Sequence, residues 1–257
     1  NDCEAKAVFA DARVETVVEA VRVTPDVRIR LAIGGAIAGF EPYEQALAGE
    51  DPSDISDPIV GNTMLYTSGT TGRPKGVFRS SPTILTQAAL DQRLFEPSSI
   101  SLCAGPAYHA APMSFDIRYP MSAGSTIVLM DKWDTLSVLR TIAERRVTHT
   151  HLVPIMFQRL LALPAEIKTE HDISSLRFIL HGAAPCPPEV KQDMIRWVGP
   201  ILREYYAGSE GGAGFLIDSH EWLSKPGSVG KRPTALGSKI LDEIGRASCR
   251  ERVYACV

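Results

Sequence analysis

One loop of the sequence concentrates the residue types that bind polyphosphates. Residues 66–76 are YTSGTTGRPKG, with three glycines, four serine or threonine hydroxyls and one lysine directly after a predicted strand. Glycines let several backbone N–H groups turn toward one centre, hydroxyls donate to phosphate oxygens, and lysine adds a mobile positive charge. A flexible glycine–threonine turn is the alternative interpretation. The loop is not a Walker A motif, because Pro74 and Gly76 stand where that motif requires glycine and a hydroxyl residue.

Four later segments, taken with this loop, resemble the motifs of the adenylate-forming superfamily. They are PAYHAAP at residues 106–112, HGAAP at 181–185, YAGSE at 206–210 and KPGSVG at 225–230. The superfamily contains acyl-CoA and aryl-CoA synthetases, peptide-synthetase adenylation domains and luciferases. The likeness covers most of residues 60–242, in order and spacing, and it is specific for the superfamily but not for a substrate.

The resemblance implies an ATP site. The loop would hold the β- and γ-phosphates, HGAAP and Tyr206 would flank the adenine, and Ser209 would lie near the α-phosphate. Ser209 replaces the family's threonine but keeps its hydroxyl group. The nucleotide-binding residues that the resemblance implies are Thr67, Ser68, Gly69, Thr70, Thr71, Gly72, Lys75, Gly182, Ala183, Ala184, Tyr206, Gly208 and Ser209.

Three residues are implied to act in catalysis. Lys75 would neutralise phosphate charge, Glu210 would bind Mg²⁺, a hard cation that takes oxygen ligands, and His109 would gate the passage between acyl pocket and pantetheine tunnel. Each has an alternative interpretation by residue type alone. Glu210 could be a solvated surface carboxylate, His109 a hydrogen-bonded core histidine, and Tyr206 a core tyrosine at a strand end.

The implied reaction is ATP-dependent, AMP-forming activation of a carboxylic acid, with coenzyme A as the thiol that then forms a thioester. PAYHAAP and residues 153–164 look most like the fatty-acid branch, so a fatty or similarly apolar acid is the predicted substrate. The alternatives are an amino-acid or aryl-acid adenylating domain and a non-catalytic nucleotide-binding fragment. An amino-acid-activating domain would need a pocket aspartate for the substrate ammonium, and nothing in the sequence marks one.

Alternating strand and helix patterns predict the elements that position these segments. They indicate an α/β fold with mixed, mostly parallel sheets covered by helices on both faces, in keeping with part of the N-terminal domain of the adenylate-forming fold. Ligands in such folds collect at the carboxyl ends of strands. Strands are predicted near residues 7–9, 27–31, 63–66, 125–130, 148–153, 176–180 and 201–206, and helices at 13–23, 82–94, after Asp134, at 154–163 and at 187–198.

Composition excludes several classes of protein. The 257 residues are 44% hydrophobic with a net charge of -3, which rules out a largely disordered chain and argues against a nucleic-acid partner. The longest run without a polar side chain, residues 31–40, is too short for a membrane span of about 20 residues. Five scattered cysteines without CxxC spacing indicate neither a disulfide framework nor a zinc site, so we expect a reducing, cytoplasmic location. No feature predicts the oligomeric state.

Both ends of the sequence suggest truncation. The sequence begins at Asn1 without an initiator methionine, and residues 243–253, EIGRASCRERV, resemble a translated sequencing adapter. A genuine polar terminus with two cysteines is the alternative interpretation of this segment. We therefore expect a partial first subdomain with a connector at 1–60, the ATP- and acyl-binding subdomain at 61–242, and a non-native read-through tail at 243–257. The smaller C-terminal domain of the superfamily, with its catalytic lysine and the ribose-binding Asp motif, is not recognised in the chain, so we expect an inactive fragment.

Overall fold

The structure is a computed structural model that describes residues 3–14, 26–67, 73–80, 85–209 and 211–231. The predicted helix at 13–23 and the predicted tail at 243–257 fall wholly or mostly outside these residues. The chain divides into two compact units, Asn1–Pro82 and Thr83–Val257. The predicted subdomain boundary after residue 60 stays a prediction.

The first unit contains two small sheets. Strands β1 (Ala7–Asp11), β2 (Ile29–Ile33) and β3 (Glu41–Pro42) form a parallel sheet, and helix α1 (Tyr43–Ala48) follows β3 directly. Its small core is built on Ala10, Ala32 and Ile37. Strands β4 (Leu65–Thr67) and β5 (Lys75–Val77) form a separate antiparallel pair. The strands predicted near residues 7–9, 27–31 and 63–66 are confirmed, because each overlaps an observed strand.

The second unit is built on a six-stranded sheet. Its strands are β6 (Ile100–Cys103), β7 (Thr126–Leu129), β8 (His149–Leu152), β9 (Phe178–His181), β10 (Leu202–Gly208) and β11 (Gly211–Asp218), in the spatial order β11-β10-β9-β8-β6-β7. Only β11 runs antiparallel to its neighbour. The predicted α/β class with a mostly parallel sheet is therefore confirmed, although β6 and β11 were not predicted.

Helices connect these strands. They are α2 (Gln87–Asp91), α3 (Ala110–Pro112), a π-helix (Met113–Arg118), α4 (Tyr119–Ser122), α5 (Thr135–Arg145), α6 (Pro154–Leu161), α7 (Ala165–Glu170), α8 (Pro188–Val198) and α9 (Ser219–Ser224). The Asp134 side chain caps α5 by accepting a hydrogen bond from the Ser137 N–H at 2.8 Å, as predicted. Prolines open α6 and α8 at their first turns, where a missing N–H costs nothing. Within the helix predicted at 82–94, the described residues contain only the short helix α2.

The sheet carries a helical layer on each face. On one face, α5, α6, α8 and α9 enclose the main core, with Leu139, Phe157, Met194 and Trp222 all almost fully buried. On the other face, the π-helix packs against β6 and β8, and its Phe115 lies 5.9 Å from the His151 ring, centroid to centroid. Side chains alternate between the faces along each strand. The predicted cover of helices on both faces is thus confirmed for this sheet.

Parallel pairing brings four strand ends to the same edge. Strands β6, β8, β9 and β10 all point their carboxyl ends that way, so the segments 106–112 and 182–185 leave the sheet at the edge where residues 206–208 end β10. In chain order, β7 is added on one side of β6, whereas β8, β9 and β10 are added one after another on its other side. The strand order therefore reverses between β6 and β8, and open α/β sheets bind ligands at such a switch point.

Candidate active site

The predicted phosphate loop is the connection of a hairpin. Strands β4 and β5 pair in a register that sets Thr67 directly opposite Lys75, and the Lys75 side chain is exposed. A Cβ on Gly76 would overlap the end of the Met64 side chain and lie 3.2 Å from Tyr66 Cζ, so a larger residue here would require the Met64 side chain to move. Ser68, Gly69, Thr70, Thr71 and Gly72 lie outside the described residues. The structure thus shows the two ends of the loop, and the phosphate-binding role of all seven residues stays a prediction.

The HGAAP segment leaves the carboxyl end of β9 in a tight turn against β10. Gly182 is buried, and a Cβ there would lie 2.5 Å from the Tyr205 carbonyl oxygen and 2.7 Å from its ring. Ala183 adopts a left-handed backbone with φ of 66°, which is uncommon outside glycine and clusters at binding sites. Ala183 and Ala184 are exposed. The turn presents small side chains and free space, as a purine-flanking segment requires.

Tyr206 lies beside this turn on the neighbouring strand. The register of β9 and β10 pairs His181 with Glu204, two positions before Tyr206. The Tyr206 side chain is 50% exposed and its ring centroid is 6.0 Å from that of Phe215. Tyr206 is therefore half-exposed at the strand end and not a core tyrosine. Gly208 and Ser209 follow it at the surface, after an irregularity in the pairing with β11.

The KPGSVG segment returns the chain to β11. Gly227 and Gly230 have φ of 84° and 92°, and a Cβ on Gly230 would overlap the Leu216 carbonyl oxygen. This close approach allows Lys231 to form an antiparallel bridge with Leu216. Glycine is required at both positions for conformational reasons, which explains the segment without a ligand.

His109 is exposed at the start of α3. Its ring centroid lies 4.9 Å from that of Tyr108, which is itself 75% exposed, and its backbone N–H donates to the Pro106 carbonyl at 3.0 Å. His109 is therefore not a buried core histidine. Its implied role as a gate is not tested by these contacts and stays a prediction.

A cluster of buried polar residues near the switch point escaped the sequence analysis. Asp116 of the π-helix is 1% exposed and accepts a hydrogen bond from the His151 backbone N–H at 2.8 Å, through Oδ1. The His151 Nε2 atom is 3.2 Å from the Tyr205 hydroxyl. Burial raises the pKa of Asp116 well above its usual range and lowers that of His151 to about 4, and burial raises the pKa of Tyr205 to about 12. All three groups therefore favour their neutral forms.

A buried ion pair lies on the opposite face of the sheet. Lys191 of α8 is fully buried, and its Nζ atom donates to Glu204 Oε2 at 2.5 Å while lying 4.8 Å from the centre of the Trp222 ring. Burial lowers the pKa of Lys191, whereas the neighbouring Glu204 carboxylate opposes this shift by stabilising the charged Lys191 ammonium. Neither ring nitrogen of the buried His181 has a partner, and Nε2 is 3.8 Å from Glu204 Oε2. The pair joins the helix that follows HGAAP to the strand that carries Tyr206.

Metal-ligand clusters and membrane-spanning helices are both absent from the described residues. Among them, no group of three or more His, Cys, Asp and Glu side chains could hold a metal ion, and no helix is long and apolar enough to cross a membrane. Glu210, the residue implied to bind Mg²⁺, lies outside the described residues. A single carboxylate that shares the ion with phosphate oxygens would not form such a group, so the Mg²⁺ prediction stays open.

Comparison with known proteins identifies the family. The family model described as AMP-binding enzyme matches residues 1–252. The chain belongs to this family. It is 32% identical over 227 residues to the medium/long-chain-fatty-acid–CoA ligase FadD8 of Mycobacterium tuberculosis, covering 85% of this chain and 37% of that protein. It is 28% identical over 251 residues to the indoleacetate–CoA ligase of Aromatoleum aromaticum, covering 95% of this chain and 49% of that enzyme.

Solved structures show the same fold. The amide bond synthetase McbA from Marinactinospora thermotolerans matches with a TM-score of 0.73 at 23% identity, over 96% of this chain and 50% of that chain. The N-terminal domain of FACL13 from Mycobacterium tuberculosis matches with a TM-score of 0.71 at 23% identity, over 96% of this chain and 62% of that chain. The predicted adenylate-forming fold is thus confirmed. The chain spans about half or less of the curated relatives it matches.

Proposed function

We propose that this chain carries the nucleotide site of an ATP-dependent, AMP-forming acid–thiol ligase. The complete protein would convert a carboxylic acid to an acyl adenylate and then to a thioester of coenzyme A. A fatty acid is the first substrate class to test, because the relative with 32% identity is a medium/long-chain-fatty-acid–CoA ligase. We further propose that these residues alone bind nucleotide but do not complete the reaction, which would need segments beyond the stretch that the relatives share with this chain.

The observation that supports this proposal most is the approach of HGAAP to β10. Gly182 lies so close to the Tyr205 carbonyl oxygen that no side chain fits, and the exposed Ala183 and Ala184 follow it directly in the turn. An adenine ring could stack on Tyr206, since aromatic contacts contribute about 0.5–1.5 kcal/mol beyond area burial. Small side chains on the other side let the backbone approach the ring.

The polyphosphate would be held by the loop that joins β4 to β5. Thr67 and Lys75 stand opposite each other at its base, so a hydroxyl and an ammonium flank the glycines between them. When bound, ATP supplies AMP as the leaving group that a carboxylate lacks. The chain's own residues would orient the phosphates and neutralise their charge. Ser209 would lie near the α-phosphate, and Glu210 would share Mg²⁺ with the phosphate oxygens.

Nucleotide titration tests the site. We expect the chain to bind ATP with Mg²⁺, measured by calorimetry, and expect Lys75→Ala to weaken ATP binding more than AMP binding, because Lys75 serves the outer phosphates. Tyr206→Ala should weaken ATP and AMP equally, since both contain adenine. Lys132→Ala is the matched control, because Lys132 is an exposed lysine that no predicted segment contains. Equal ATP affinity in all four proteins would contradict the assignment.

ATP–pyrophosphate exchange tests the reaction. The assay uses the complete gene with a panel of aliphatic, aryl and amino acids. Exchange that depends on a fatty acid supports the proposal, and the absence of exchange with every acid refutes it. An aryl-acid ligase is the second candidate, because the match to the indoleacetate–CoA ligase covers 95% of this chain. Exchange that depends on aryl acids alone would favour that candidate. Nucleotide binding without exchange would favour the remaining alternative, a non-catalytic nucleotide-binding protein.

A further inference from the structure

The pairing of β9 with β10 ends where the HGAAP turn begins. The last paired residues are His181 and Glu204, and β9 itself ends at His181. The segment that follows runs into α8, where the Lys191 N–H donates to the Pro187 carbonyl at 3.1 Å. Pairing of the two strands therefore fixes only the start of the turn against β10, and side chains of α8 must hold its far end.

One side chain of α8 spans the distance to β10. Lys191 is fully buried, and its Nζ atom donates to Glu204 Oε2 at 2.5 Å. The nearby His181 Nε2 atom lies 3.8 Å from the same oxygen, which is too long for a hydrogen bond. Burial also holds the pKa of His181 well below its ordinary value, so its ring adds no competing charge. Lys191 thus joins the helix behind HGAAP to β10 by a direct bond.

Glu204 lies two residues before Tyr206 on β10, so both side chains point to the same face of the sheet. In the proposed nucleotide site, the adenine lies between Tyr206 and the HGAAP turn. The bond between Lys191 and Glu204 therefore connects the helix behind one wall of that site to the strand that forms the other wall. A charged hydrogen bond is short and directional, whereas apolar contacts have no preferred direction. The bond is therefore suited to fix the spacing of the two walls.

The stability of the fold does not require an ion pair at this place. Replacing a buried pair by apolar residues of similar volume is often neutral or stabilising, and a buried ionic group can instead fix one geometry. We propose that Lys191 is a positioning residue of the nucleotide site, which sets, through Glu204, the spacing between Tyr206 and the HGAAP turn. Because Lys191 is fully buried, it acts on the ligand only through these neighbours. This role rests on the nucleotide site proposed above.

Two variants that differ only at residue 191 provide the test. Glu204→Gln keeps an acceptor for the Lys191 ammonium, whereas Glu204→Gln combined with Lys191→Met removes the bond and leaves no unpaired carboxylate. Calorimetric titration compares their affinities for AMP and ATP. We expect the double variant to bind both nucleotides about threefold to tenfold more weakly than Glu204→Gln, because a misplaced Tyr206 ring loses its stacking contact with the adenine. Equal affinities in the two folded proteins would overturn the role of Lys191.

Two further variants separate positioning from stability. Leu139→Ala opens a cavity under α5, so it should lower the urea midpoint of unfolding but leave AMP affinity unchanged. The apolar pair Lys191→Met with Glu204→Leu should keep most of the stability and still bind AMP more weakly than the wild type does. AMP affinity that is lost equally in Leu139→Ala, or regained in the apolar pair, would show that affinity follows stability and would overturn the positioning role alone. A wild-type chain that binds neither AMP nor ATP would refute the proposed nucleotide site and this role together.

Discussion

The buried pair Lys191–Glu204 should be far more important for stability than any exposed ion pair of the second unit. Lys191 is fully buried and bonded to Glu204 at 2.5 Å, and the Glu204 side chain is 9% exposed. Replacing Lys191 with methionine keeps an unbranched side chain that is one atom shorter but leaves the Glu204 carboxylate buried and without its ammonium partner. Breaking a buried pair in this way costs about 3–5 kcal/mol of unfolding free energy.

The pair Arg146–Asp172 is the matched control. Its atoms are as close, 2.5 Å, but the side chains are 54% and 62% exposed. Arg146→Met should therefore cost about 0–1 kcal/mol, because water screens exposed charges and competes for them. The double variant Lys191→Met with Glu204→Leu removes both charges, so most of the loss should be recovered, as replacing a buried pair by apolar residues is often neutral.

Urea unfolding followed by tryptophan fluorescence measures the effect. All three tryptophans, Trp133, Trp197 and Trp222, lie in the second unit, so the signal reports that unit. With a urea dependence of about 3 kcal/mol per molar, a loss of 3–5 kcal/mol lowers the midpoint by about 1–1.7 M. If Lys191→Met lowers it no more than Arg146→Met does, the ion pair contributes nothing beyond an exposed one and the reasoning is wrong.

Three further changes test the packing and the titration of the second unit. Gly182→Ala should cost about 1–3 kcal/mol of stability and weaken nucleotide binding, measured by urea unfolding and calorimetry, because its Cβ would overlap Tyr205. Asp134→Ala should cost about 1 kcal/mol in the same unfolding assay by removing the cap of α5. Burial lowers the pKa of His149 from 6.5 to about 4, so unfolding takes up a proton between these values and stability falls as the pH drops. The loss from pH 7 to pH 5 should be about 2 kcal/mol smaller in His149→Gln, by urea midpoints at the two pH values.

Local signals were enough to predict the elements whose ends and faces are marked in the sequence. The capping residue Asp134 and the stripe of Leu139 and Ile142 predicted α5, because both act within one helix. Pro154 and the pair Pro187-Pro188 marked the starts of α6 and α8 in the same way. The register of β9 and β10 pairs His181 of HGAAP with Glu204, two residues before YAGSE, and the adenine-flanking role that the resemblance implies for both segments stays a prediction.

Other elements carry no such signal. Residues 100–103 are a short strand in which Ser101 is fully buried, and a buried serine weakens the hydrophobic pattern. The π-helix lies between Pro112 and Pro120, which predict interruption and not a continuous helix. Asp116 and Lys191 escaped for a related reason, since charged residues are expected at the surface unless they are paired. Only tertiary contacts, formed by residues distant in the sequence, place these two side chains in the interior.

Two adjacent tyrosines of β10 lie on opposite faces of the sheet. Successive side chains of a strand point to opposite faces, so Tyr205 and Tyr206 cannot serve the same site. Tyr205 contacts His151, 5.7 Å between ring centroids, while Tyr206 is 50% exposed on the strand next to the HGAAP turn. A ligand that shifts the β10 backbone at Tyr205 should also shift it at Tyr206, because the two residues share a peptide bond. An acid that binds against the Tyr205 face of β10 and shifts this backbone should therefore change ATP affinity, and ATP should change acid affinity by the same factor. Titrating each ligand with the other present measures this coupling, and equal affinities in both experiments would show that the two sites are independent.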